Sequence, residues 1–504
     1  MLAPAEAKPV SEKIFFTKKL VEKMKIIYNA ILLDESMRTR GAIVLDKKKI
    51  VCVLKGNFKT ESAVLNAAKS ACDKIFSSKT PKQIEFVNAN GLTLAPAFID
   101  MHSHFRYPGQ TQKEDLQSAL NAAAAGGFGT LVLMPNTNPV VSSKELAIKI
   151  ENEAAAQKKS QVFQTVSITK DFDGATISHI DSLEKKSTPV ISEDGRDVES
   201  AAVMLEAMRL AAKKGIIVAC HSEDCALAIK AKSYRKRAFE IIANYDMSIQ
   251  DLSQIFEKKN QGLKKIPKVA INEAKENIFI ANSILELAED IATERNIAIA
   301  KKANCRIHVC HVSTRGSIEA VRRAKKNIAN SKGNIASEKS QFQITCEITP
   351  HHLGLIGTRG KEIFEFVNPP LRSEEARATL IQALRDGTAD VIATDHAPHT
   401  ACDKAAGAPG FSGLETAYAF CHTVLVEQEN FSEQKLSQLM SANPARILGL
   451  KKGLLKEGYD ADLVLLDPQE KWKVRSAEFF SKGKSTPLEG KILTGRVKGM
   501  FFRE

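Results

Sequence analysis

Apolar positions along this chain fall into two rhythms. From about Leu94 onward, short β-branched or apolar runs alternate with longer stretches of helical spacing. The runs are LAPAFID (94–100), FGTLVLM (128–134), VFQTVSI (162–168), TPVI (188–191), IIVAC (216–220), RIHVC (306–310), FQITCE (342–347) and VIAT (391–394). Between several of them lie Ala/Leu/Lys/Glu segments such as EDLQSALNAAAAGG and ESAAVMLEAMRLAAKKG, each closed by glycine at its C-terminal end. Strand then helix, repeated about eight times, predicts an α/β fold, a parallel (β/α)8 TIM-type barrel, over residues 94–454. The segment 226–300 is too long for one connection and predicts added helices. The polar stretch NIANSKGNIASEKSQ, within an enlarged segment 325–342, reads as an exposed loop.

The chain ends carry a different pattern. Residues 24–66 (MKIIYNAILLDE, GAIVLDKKKIVCVLKG) and 455–504 (GYDADLVLLDP, WKV, GKILTGRVKGMFF) hold strand-like runs broken by turns. They predict one small β-sandwich built from both ends, with boundaries at 24–93 and 455–504. Residues 1–23 read as a flexible extension.

Composition narrows the class without naming a chemistry. At 504 residues, 43% apolar and 26% charged, the chain reads as an ordinary globular protein with a sizeable core. No stretch approaches the roughly 18 uninterrupted apolar residues of a membrane helix. The N-terminus lacks the apolar core and cleavage site of a secretory signal. Nine cysteines scattered without CxxC pairs point to reduced thiols and a cytoplasmic setting. The net charge of +13 is spread over many surface-like segments, with no nucleic-acid motif and few aromatics to stack on bases. It reads as a solvated basic surface with a mild pull on anionic substrates, not as a nucleic-acid interface.

The chemistry sits where the strands end. In a (β/α)8 barrel the active site gathers at the C-terminal ends of the strands. His102 and His104 follow the first run, Asn136 the second, Glu193 and Asp194 the fourth and His221 the fifth. His311 follows the sixth, His351 and His352 the seventh, and Asp395, His396 and His399 the eighth. Of eleven histidines, only His179, His308 and His422 fall elsewhere. Singly, each has a bland reading: a loop histidine bonded to backbone, an aspartate in a turn or at a helix cap. Jointly, four histidines and two aspartates at one rim are better explained by a metal ion. Neutral imidazoles with carboxylates suit zinc or another borderline divalent ion.

The stretches FIDMHSHFRYPGQTQKEDL, GGFGTLVLMPNTNPV, SEDGRDV, CHSED, IHVCHVSTRGSIEAV, ITPHHL, VNPPLR, IATDHAPHT and GFSGLETA resemble the dihydroorotases of the cyclic amidohydrolase superfamily, long-chain bacterial class. The resemblance runs from about Met24 to the C-terminus. It implies a metal-dependent barrel and the reversible interconversion of N-carbamoyl-L-aspartate and L-dihydroorotate in pyrimidine synthesis. Carried over by position, it implies His102, His104, Asp194, His221, His311 and Asp395 as ligands of one or two zinc ions. Asp194 would stand where related enzymes place a carboxylated lysine. It implies Asp395 as the general acid/base beside a metal-bound hydroxide, and Arg106, Asn136, Asn368 and His399 as substrate-binding groups. Arg106 is what separates this reading from allantoinase and dihydropyrimidinase, whose rings lack the carboxylate an arginine would grip. A non-catalytic scaffold for aspartate transcarbamoylase is a further alternative, disfavoured by the full ligand set. The family leaves a homodimer and association with aspartate transcarbamoylase open as assemblies. Two departures stand out: Glu193 where many relatives have aspartate, and a short segment at 401–412.

Overall fold

The computed structural model describes residues 23–76, 83–245, 267–330, 341–357 and 365–502. Residues 1–22, nearly all of the expected N-terminal extension, lie outside the described residues, as do 246–266 and 331–340 in the two enlarged segments.

Eight parallel strands form the barrel. In order they are Phe98–Ser103, Phe128–Leu133, Gln161–Gln164 continued by Val166–Ser167, Val190–Ser192, Ile217–Cys220, Arg306–Val309, Gln343–Ile348 and Val391–Ile392. The third strand breaks at Thr165, so its first half pairs with the second strand and its second half with the fourth. The ring closes between the eighth strand and the first: Ser103 bridges to His396, and the Asp395 N–H donates to the His102 carbonyl at 3.0 Å. Period-2 alternation divides the strand residues between two cores. Phe98, Leu131, Leu133, Val218, Val309 and Ile344 face the surrounding helices. Ile99, Met101, Val132, Ile217, Ala219 and Cys310 fill the interior, which Ala445, Ile447 and Leu448 join from one end.

The helices follow their local signals. In Ala201–Lys214, Ser200 caps the start by accepting the Val203 N–H, and Gly215 ends it at φ 66°, a conformation glycine adopts without strain. Met204, Ala207, Met208 and Ala211, at i, i+3, i+4 and i+7, form its buried stripe. The described parts of segment 226–300 are helical: Cys225–Ala243 and Lys268–Ala303 pack on each other through Ala231, Ala281 and Leu285. Of NIANSKGNIASEKSQ, the first four residues close the helix Arg315–Asn330 instead of starting a loop.

The chain ends meet in one seven-stranded sheet. Lys23–Asp34 is its centre, flanked by Met37–Asp46 and Lys49–Lys55 on one side and by Gln83–Asn88 and Thr93–Pro96 on the other. The C-terminal strands Leu463–Lys473 and Ile492–Phe501 add to Thr93–Pro96. Alternation again makes two apolar faces. Ile27, Ile43, Leu45 and Ile50 lie on one, and Ile26, Tyr28, Val44 and Cys52 on the other, the latter covered by helix Glu61–Ala71. The run LAPAFID is therefore two strands. Pro96, which has no N–H for a ladder, ends the first in the small sheet, and the barrel begins at Phe98.

Candidate metal centre and active site

The barrel brings the six expected ligands to one point. Asp194 Oδ1 lies 3.3 Å from His102 Nε2, 3.3 Å from His221 Nδ1 and 3.6 Å from His311 Nε2. Asp194 Oδ2 lies 3.5 Å from His104 Nε2, and Asp395 Oδ1 is 3.1 Å from His104 Nε2 and 3.6 Å from His102 Nε2. All six side chains are buried. Two of these residues stand in the left-handed backbone region, His311 at φ 35° and Asp395 at φ 46°, and Arg106 joins them at φ 55°. Non-glycine residues held there cost about 1–3 kcal/mol each, and such strain gathers where geometry serves a site. Backbone bonds hold these turns: the Asp395 N–H to the His102 carbonyl, and the His311 N–H to Glu347 Oε1 at 3.2 Å.

The hydrogen bonds behind the ligands fix which ring nitrogen faces the centre. Glu347 accepts from His102 Nδ1 at 2.9 Å and from His308 Nε2 at 3.0 Å. Burial alone would raise the Glu347 pKa, but these two imidazoles hold it down at about 2. An ionised carboxylate can only accept, so His102 carries a proton on Nδ1; burial would lower its pKa, but Asp194 holds it well above the usual value, so a cation at Nε2 would take the place of a proton there. Asn136 donates from Nδ2 to Asp194 Oδ2 at 3.2 Å, which orients its Oδ1 to accept from His104 Nδ1 at 2.9 Å. His104 therefore also presents Nε2. Glu223, held at about 2 against burial by His221 and Asn368, sits 3.6 Å from His221 Nε2 and leaves Nδ1 facing Asp194.

This arrangement fits a divalent cation. His102 Nε2 and Asp194 Oδ1 are fully buried and make no hydrogen bond, although each is aimed at the other's neighbourhood. His221 Nδ1 and His311 Nε2 approach within 2.9 Å, two ring nitrogens converging on one carboxylate oxygen. Among the described residues three groups have ligand spacing: His102/Cys310/Glu347 lies behind the centre, and two triads lie at it, His102/Asp194/His311 and His102/His104/Asp395. The two triads share His102 Nε2, whose single lone pair serves one ion at a time. An ion taken by the second triad would leave Asp194, His221 and His311 for another. Burial would raise both carboxyl pKa values, but His102, His221 and His311 hold Asp194, and His104, His102 and His311 hold Asp395, well below the usual range. Both are ionised acceptors at neutral pH.

The expected substrate-binding residues ring this centre. Arg106, nearly buried, donates from Nε to the Pro398 carbonyl at 3.2 Å, and its Nη2 lies 3.2 Å from His399 Nε2. His399 Nε2 is also 2.9 Å from the Pro409 carbonyl, so it serves one of the two at a time. Burial first, then Arg106, Lys113 and Lys404, push its pKa down to about 3 and keep the ring neutral. Asn368 donates to Glu223 Oε1 at 2.9 Å. Asn136 spends its carbonyl on His104 and one N–H on Asp194, which leaves a single N–H for a ligand. Glu193 turns away from the centre and accepts from the Thr169 N–H and hydroxyl, so the carboxylate after strand four that faces the centre is Asp194. In segment 401–412, Lys404 donates to the carbonyls of Phe366, Ala408 and Gly410 at 2.8–3.1 Å and fixes the loop beside His399.

Three residues of the site escape a reading of strand ends: His308, Glu347 and Glu223. Glu347 had a signal, since a carboxylate within the apolar run FQITCE is buried on folding and needs a partner. His351 and His352, expected at the rim, are buried beside it. His352 is engaged by Thr349 and the Pro369 and Pro370 carbonyls and touches none of the six.

A family model described as Amidohydrolase family matches residues 93–498. The L-hydantoinase (dihydropyrimidinase) of Arthrobacter aurescens superposes with a TM-score of 0.70 at 21% identity, covering 95% of this chain and 94% of that one. Dihydropyrimidinase from Brevibacillus agri gives 0.69 at 19% over the same shares. At such identities these two structures speak for the fold alone. The chain belongs to the amidohydrolase family. Within it the chain is similar to the dihydroorotase of Clostridium botulinum, at 36% identity over 416 residues, 82% of this chain and 87% of the relative. The dihydroorotase of Geotalea daltonii is 35% identical over 423 residues, 83% of this chain and 88% of its own. The chain thus belongs with the dihydroorotases.

Proposed function

We propose that this metal-dependent amidohydrolase interconverts N-carbamoyl-L-aspartate and L-dihydroorotate, with zinc held by His102, His104, Asp194, His221, His311 and Asp395. The observation that carries the reading is the convergence of four imidazoles and two ionised carboxylates at one barrel mouth, with the Arg106 guanidinium beside them. Neutral imidazole and carboxylate together suit zinc. A bound divalent ion supplies Lewis acidity toward the carbonyl and brings the pKa of water toward about 7. The protein's residues do the rest. Asp395, ionised and at the lip of the cluster, accepts the proton of the attacking water and delivers it to the departing ring nitrogen. In the cyclising direction it removes the proton from the ureido nitrogen. Arg106 has five N–H donors and spends two on the contacts described, so it can still bind the substrate carboxylate and orient the ring. Asn136, Asn368 and neutral His399 complete that grip with hydrogen bonds.

Discrimination between ring substrates tests this directly. The enzyme should hydrolyse dihydroorotate and leave dihydrouracil, the same ring without the carboxylate, essentially untouched. Arg106→Met should raise the KM for dihydroorotate by about 10-fold or more while bound metal stays at the parental amount. A preference for dihydrouracil would move the reading to the dihydropyrimidinase class. Among the described residues no helix is long and apolar enough to cross a membrane. A cytoplasmic location belongs to the same reading, as does assembly as a homodimer or on aspartate transcarbamoylase. Light scattering of the protein alone and mixed with that partner would detect either assembly.

A further inference from the structure

The long helix Lys268–Ala303 carries a feature that the barrel alone does not require. Glu289, Thr293 and Asn296, at i, i+4 and i+7, form a polar stripe on its buried side, each at most 4% exposed. Burying such groups is costly unless they are bonded; Thr293 meets the Ser317 hydroxyl in the next helix at 3.0 Å, and the partners of Glu289 and Asn296 lie in the loops that carry the candidate ligands. The Ala288 carbonyl accepts from the Asp224 N–H at 3.1 Å, three residues beyond His221. Glu289 accepts from the Ser313 and Thr314 N–H groups at 2.8 and 3.0 Å and from the Ser313 hydroxyl, just beyond His311. Glu289 also pairs with Arg372 at 3.2 Å, and Arg372 donates to Ser313 Oγ at 3.0 Å, four residues beyond Asn368. Asp197, three residues beyond Asp194, is held by Arg295 at 2.8 Å and by Asn296 at 3.1 Å.

One rigid element therefore touches the loops after strands four, five and six directly, and the Asn368 loop through Arg372. We propose that the turns 288–296 act as a template that sets the spacing of Asp194, His221 and His311, with Glu289 and the Arg295/Asn296 pair as positioning residues. The inference rests on the reading that those three residues bind the ion. Helices rise a fixed 1.5 Å per residue, so bonds from one face hold separate loops at fixed separations. Loops that only touched solvent would let the same ligands drift, and metal sites are sensitive to the groups that orient their ligands.

The test uses the full chain stripped of metal and reloaded with cobalt(II), whose visible absorption reports ligand geometry. Parental protein, Glu289→Gln, Arg295→Met and Arg295→Lys are compared for that spectrum, for the rate of cobalt release to a chelator, and for the thermal midpoint of the metal-free form. Glu289→Gln should release cobalt about 10-fold faster or more with an altered spectrum. Arg295→Met should release it several-fold faster with a metal-free midpoint near parental, and Arg295→Lys should restore much of the difference. Arg295 is partly exposed, so its replacement leaves a folded protein even if Glu289→Gln does not fold. Parental spectra and release rates in Arg295→Met, or in every folded variant, would overturn the template. Failure of the parental protein to take up cobalt would overturn the metal reading itself, and the template with it.

Discussion

In the proposed mechanism Asp395 does two things at once: it stays ionised in a buried site and exchanges a proton with substrate. Its neighbours His104, His102 and His311 meet the first demand by holding its pKa below the ordinary range despite burial. The second demand has a clear consequence. Asp395→Asn keeps the shape and loses the proton acceptor, so kcat should fall by about 10²- to 10⁴-fold. Circular dichroism should match the parent, and turnover within a few-fold of parental would remove Asp395 from proton transfer. Glu347 works one step back. It touches no expected substrate position, yet it fixes the tautomers of His102 and His308. Glu347→Ala should therefore weaken metal retention by about 10- to 100-fold, read by competition with a chelator, before it affects the KM of fully loaded enzyme.

At the scale of elements, each of the six expected ligands is delivered by a strand terminus or the turn just after it. That is why they were legible from the chain: an apolar run marks the strand, and the first polar residues after it must lie at one face of the barrel. Glu347 and His308 were not legible in this way. They sit inside runs that read as continuous core, and only pairing across strands six and seven shows that they satisfy each other. The contribution of Lys268–Ala303 was hidden for another reason. Its partners are 24 to 99 residues away in sequence, a separation no local pattern reports. The run 94–100 misled because an apolar stretch does not say which of two sheets it joins. Helix Lys144–Ala156 offers a prediction of its own. Burial pushes Glu151, which accepts the Gln164 N–H at 2.9 Å, up to about 7. The folded state then binds more protons than the unfolded state between about pH 4.5 and 7, so this group's contribution to stability is lost as pH rises through that window. Glu151→Gln should gain stability relative to the parent from pH 5 to pH 8 by urea denaturation. A difference that does not change with pH would contradict the raised pKa.

At the scale of the molecule, both chain ends return to one sheet beside the barrel. Buried Lys452 and Asp462, paired at 2.5 Å, with Lys452 also on Thr130, tie that sheet to the second barrel strand. The bridge between strands one and eight places His102, His104 and Asp395 in mutual reach, so the candidate cluster depends on that contact. The net charge of +13 suits an enzyme that acts on anionic substrates. The central claim is that this closed cluster is a metal-dependent dihydroorotase. Metal stoichiometry measured on the same sample as dihydroorotate–carbamoyl aspartate interconversion tests it most directly. The account predicts one or two equivalents of divalent ion, activity lost on chelation and regained on adding zinc. Folded protein carrying its metal and showing no interconversion in either direction would contradict it.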